Sequence, residues 1–97
     1  MAGIDELRPP PEAVERAGTE ILRAFIVDGG LTVSLLGAFD DPAVWGILLV
    51  DLARHASRIY AREDGMSEEE ALSSIKEMLL AELGRPTDLG STRSMAN

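Results

Sequence analysis

The chain has no cysteine and a single histidine, His55. No disulfide framework, thiolate nucleophile or cysteine-ligated zinc or iron–sulfur centre is therefore available. A zinc site would have to be completed by carboxylates or symmetry mates. Bases are scarce too, nine lysines and arginines against seventeen acids, for a net charge of −8. Nucleic acid and anionic membrane both select for a basic patch, so neither is expected as a partner. The longest apolar run is Val44 to Val50, far short of the roughly 20 residues a spanning helix needs. The amino terminus has neither a basic stretch nor an apolar one, which excludes a signal peptide. Glycine stands at position 3 and not 2, which excludes myristoylation. A cytoplasmic protein without cofactor is the expectation that remains.

The composition itself is globular, with 45% hydrophobic and 27% charged residues; disordered chains are poorer in the former. At 97 residues it makes one small domain. Pro9-Pro10-Pro11 favours an extended polyproline stretch, and residues 1–11 read as a flexible leader. Residues 85–97 are polar and small, and read as a disordered tail. A single domain over 12–84 must supply the core. Its first part, Glu12 to Ala17, could form a short helix after Pro11, with Gly18 as its stop.

Two β-prone runs, Ile21 to Val27 and Leu31 to Leu36, flank Asp28-Gly29-Gly30. Asp-Gly suits the centre of a type I′ hairpin turn, where both residues need positive φ. With Asp28 and Gly29 there, Val27 pairs with Gly30, Ile26 with Leu31, Ala24 with Val33 and Leu22 with Leu35. A turn at Gly29-Gly30 keeps the same faces. Either register collects Leu22, Ala24, Ile26, Leu31, Val33 and Leu35 on one side.

Asp41 as N-cap and Pro42 at the first helical position then open a long helix to about Glu63, closed by Gly65. Trp45, Leu48, Leu49, Leu52, Ala56, Ile59 and Tyr60 form one broad apolar stripe on it. Ser67 and Glu70 make a capping box for a further helix running to about Leu83. Leu72, Ile75, Leu79 and Leu83 are its expected buried row, and Gly84 and Pro86 its stop. The fold class is therefore α+β: a β-hairpin packed against a long central helix and a second C-terminal helix, with an optional short N-terminal helix.

Two features do not close within one chain. A lone two-stranded sheet is marginal, and its edges offer unpaired backbone groups. The first half of the central helix is also apolar nearly all round, because Val44, Ile47 and Val50 lie off the main stripe. A helix of that kind is normally buried on both sides. A core this small gains stability from association, so a homodimer is expected on the Val44/Ile47/Val50 face, on hairpin edges, or on both. Gly46 is a further oddity: glycine inside a helix costs about 1 kcal/mol relative to alanine, and the usual compensation is close approach of another backbone, here either the hairpin of the same chain or a second helix across a dyad.

Chemistry-bearing constellations are few. Asp51, His55 and Arg58 lie at helical spacing and could form a carboxylate-oriented imidazole beside a cation. No nucleophile accompanies them, and a surface ion pair explains the spacing equally well. Asp40-Asp41 and Glu68-Glu69-Glu70 lack the spacing of a calcium loop, and helix capping accounts for both. Asp28-Gly29-Gly30 lacks a phosphate-loop pattern and joins strand to strand.

Asp28-Gly29-Gly30-Leu31, then Phe39-Asp40-Asp41-Pro42-Ala43-Val44-Trp45-Gly46-Ile47-Leu48-Leu49 and Asp51-Leu52-Ala53-Arg54-His55, resemble a small proteobacterial family known only as a domain of unknown function. The resemblance spans about Glu20 to Leu83 and implies a stand-alone bacterial domain with no activity, cofactor or site to transfer. The reading is a non-catalytic, homodimeric interaction or adaptor domain. One alternative is an acidic chaperone-like peptide binder. The other is a small-ligand-binding or enzymatic domain using Asp51, His55 and Arg58 at a dimer cleft.

Overall fold

The computed structural model describes residues 3–86 and the backbone of 91–95. Elements run in the order α1 (Pro11–Glu15), β1 (Leu22–Val27), β2 (Gly30–Leu36), α2 (Ala43–Glu63), α3 (Glu68–Gly84) and β3 (Ser91–Met95). The fold is α+β, as the pattern of periods predicts.

The hairpin forms in the expected register, Val27 opposite Gly30 through Leu22 opposite Leu35. Asp28 and Gly29 have φ of 51° and 81°, the left-handed pair a type I′ turn demands. Helix α2 starts as expected. Pro42 already has helical dihedrals (φ −55°, ψ −26°), and Asp41 Oδ1 accepts the Ala43 N–H at 3.0 Å. At the other end Gly65 takes φ +69°. Ser67 Oγ accepts the Glu70 N–H at 3.0 Å, and Glu68, Glu69 and Glu70 fill the first turn of α3, at the positive end of its dipole.

Three local details differ from the sequence reading. Helix α1 begins at Pro11 and ends at Glu15, so the leader and the domain overlap there. Its left-handed residue is Ala17, φ 51°, and not Gly18. The Gly18 N–H donates to the Ala13 carbonyl at 2.8 Å, a Schellman closure. A Cβ on Gly18 would sit 3.3 Å from the Ala13 Cα, so the glycine is needed for contact and alanine carries the strain. Finally, 91–95 lie within the expected tail yet form β3, parallel to β2, with Thr32 opposite Ser91 and Leu36 opposite Met95. Main-chain groups on the free edge of β2 account for this, since backbone pairing needs no apolar side chain. The rest of that tail, 87–90 and 96–97, lies outside the described residues.

Among the described elements, close backbone packing joins β1 to β2, β2 to β3 and α2 to α3. No strand shares such packing with α2 or α3. Residues from the two layers instead face a common cleft, described below. The buried core is correspondingly small. Ala71 (3% exposed) and Ser57 (0%) are the buried residues, meeting where α2 and α3 pack nearest their connecting turn. The Ser57 hydroxyl donates to the Ala53 carbonyl at 2.8 Å, so its burial leaves no orphan.

The expected buried row on α3 is only partly buried. Leu72 and Ile75 are half-buried, while Leu79 and Leu83 are exposed. The α2 stripe behaves likewise: Trp45, Leu48 and Ala56 are half-buried, and Leu49, Leu52, Ile59 and Tyr60 are exposed. Amphipathic spacing identifies an apolar face, but what covers that face is not encoded in the spacing.

Candidate functional site

Three places merit a functional reading: the polar trio on α2, the cleft beside the amino-terminal segment, and the apolar first half of α2.

In the polar trio all three side chains are exposed. Arg58 Nη1 lies 3.5 Å from His55 Nδ1. A guanidinium only donates, so any hydrogen bond at this distance has His55 Nδ1 as its acceptor. Arg58 Nε also donates to Glu68 Oε1 at 3.3 Å. Arg58 thus ties the end of α2 to the first turn of α3. Asp51 makes no hydrogen bond to His55, although the spacing allows one. The structure therefore joins His55 with Arg58 and leaves Asp51 apart. Glu68 is the member of this cluster that spacing along one helix could not reveal, because it arrives from the next helix.

The cleft, of about 800 Å³, lies between the amino-terminal segment, β1 and α2. Leu7, Pro10 and Val14 wall one side, and Leu22, Leu48 and Leu52 the other. On its rim Arg23 pairs with Glu6, and with Glu20 at 3.2 Å. The hydrogen bond that Arg23 donates to Glu6, followed by the charge of Glu20, raises the Arg23 pKa above its ordinary value. The Arg23 guanidinium also lies 5.4 Å from the Phe25 ring centroid. Two acids and an aromatic face thus fix a cation at the cleft mouth.

The first half of α2 is only partly covered. Ile47 is 65% exposed and Val50 50%, whereas Val44 is half-buried. Trp45 packs edge-on against Phe39, with centroids 5.2 Å apart and planes at 74°, which seats this tryptophan against its own chain. A Cβ at Gly46 would meet nothing within 4 Å. Among the described residues, none supplies the close backbone approach expected at this glycine.

Among the described residues no group of three or more His, Asp or Glu side chains is placed to hold a metal ion. No described helix is long and apolar enough to cross a membrane.

Comparison with known proteins places these features in context. A family model described as a domain of unknown function, DUF5076, matches residues 6–87, in keeping with the resemblance to an uncharacterised domain. A solved structure described as a "putative pyruvate dehydrogenase" from the photosynthetic bacterium Rhodopseudomonas palustrus CGA009 is 50% identical. The match covers 98% of this chain and 99% of that one, with a TM-score of 0.75. No curated protein matches the chain.

Proposed function

We propose, given that the chain belongs to the DUF5076 family of unknown function, that it is a non-catalytic homodimeric module whose work is to bind another protein. The observation that carries this reading is the surface left uncovered by one chain. The accessible area is 8643 Å², whereas a compact protein of this mass exposes about 5,400 Å². The radius of gyration of 15.3 Å likewise exceeds the roughly 12.5 Å of a compact domain of this length. Exposed large apolar side chains lie on the amino-terminal segment, on the hairpin and on both helices, among them Leu7, Ile26, Ile47 and Leu83. Apolar side chains left in water mark an interaction site where they gather into a patch.

The printed description of the Rhodopseudomonas protein does not carry over. The polar residues here show no substrate-enclosing arrangement, and the His55–Arg58–Glu68 cluster reads as a clamp between two helices. Light scattering coupled to gel filtration tests the dimer. The expected mass at micromolar concentration is twice the chain's 10.4 kDa, and a monomer there overturns the reading.

A further inference from the structure

We infer that the second copy docks on the open end of the α2–α3 pair, with the two α2 helices crossing antiparallel at Ile47, beside Gly46. This rests on the homodimer reading and specifies its geometry. One face of α2 carries Gly46, Ile47, Val50, Arg54 and Ser57 at spacings of three and four. Helix α3 covers the Ser57 end of this face, where Ser57 and Ala71 are sealed. It does not seal the other end. With 17 residues and about 1.5 Å of rise per residue, α3 is long enough to reach the level of Ile47. Yet Leu83 is 75% exposed, and Leu79, Ile47 and Val50 are exposed as well. The two helices therefore leave an apolar mouth at the end away from their turn.

A second copy of the same chain fits this mouth on three counts. The apolar side chains at the mouth are themselves exposed, Leu83 at 75%, Ile47 at 65% and Val50 at 50%, and an identical face can cover them across a dyad. Gly46 leaves its Cβ position vacant, so a helix backbone can come as near there as a small-residue crossing allows. Charge also matches: an antiparallel crossing centred at Ile47 sets Arg54 of one copy toward the start of the other's α2, which the chain enters through Asp40 and Asp41. Arg54 makes no ion pair among the described residues, and Asp40 is exposed. The result is a four-helix arrangement, near 20° off antiparallel, with an apolar centre and a charged rim.

The cysteine-free chain makes the test direct. Ile47→Cys should form an intermolecular disulfide on mild oxidation, because a dyad at this residue brings paired Cα atoms within bonding range. Lys76→Cys, off this face, should not. Gly46→Leu should raise the dimer dissociation constant at least tenfold with helix content unchanged by circular dichroism. Gly46→Ala, which improves helix propensity and guards against misfolding, should raise it by a smaller factor. Arg54→Glu should weaken the dimer, and adding Asp40→Lys should restore it. A dimer whose affinity ignores Gly46→Leu and Gly46→Ala, or which crosslinks no better through Ile47→Cys than Lys76→Cys, overturns this interface while leaving the homodimer standing. Charge-reversed chains that fail to recover overturn the antiparallel pairing. A monomeric wild-type chain overturns both readings.

Discussion

Ala17 shows how a single residue can carry strain that its neighbours make necessary. An L-residue in the left-handed region is disfavoured by roughly 1–2 kcal/mol, and glycine is relieved of this at some cost in unfolded-state entropy. Ala17→Gly is therefore expected to stabilise the protein by about 0.5–1 kcal/mol, read from urea denaturation at fixed protein concentration. The sequence reading assigned the helix stop to Gly18 because glycine is the commonest left-handed residue. It could not show that the Gly18 N–H closes the helix on the Ala13 carbonyl at 2.8 Å, with Ala17 as the left-handed residue between. Asp28-Gly29 was legible by contrast, since both residues favour the one turn that fits between two strands.

At the scale of elements, the boundaries set by side-chain caps were readable and those set by distant backbone were not. Asp41 and Ser67 cap α2 and α3 through hydrogen bonds spanning two and three residues, a local chemistry that sequence displays. Removing the cap in Ser67→Ala should cost about 1 kcal/mol, seen as a lower denaturation midpoint with an unchanged urea slope. Strand β3 was invisible for the opposite reason. Its partner lies more than fifty residues earlier, and pairing proceeds through main-chain groups that any sequence possesses. The trio Asp51, His55 and Arg58 was half legible. Spacing brought His55 to Arg58, but Arg58 is committed to Glu68 on the neighbouring helix, a partner that appears only once α3 folds back.

For the whole molecule, amphipathic patterns named the apolar faces correctly and left their coverage undetermined. Among the described residues only Ser57 and Ala71 are buried, little to set against the roughly 1–2 kcal/mol of chain entropy that each ordered residue costs. If folding and association are coupled, stability depends on concentration by mass action. The melting temperature is accordingly expected to rise by several degrees as the protein is concentrated a hundredfold, measured by scanning calorimetry. An invariant melting temperature would mean that the single chain is stable unaided.

Arg23 takes on a second meaning from its place in the sheet. The strand order β1-β2-β3 leaves β1 at an edge, with the run Leu-Arg-Ala-Phe-Ile-Val along its open side. Such a segment, rich in β-formers, is the sort that stacks into cross-β fibrils when it meets copies of itself. Its one charge is Arg23, and Glu6 and Glu20 keep that charge in place. Arg23→Ala is accordingly expected to speed fibril formation at fixed protein concentration, read by thioflavin fluorescence.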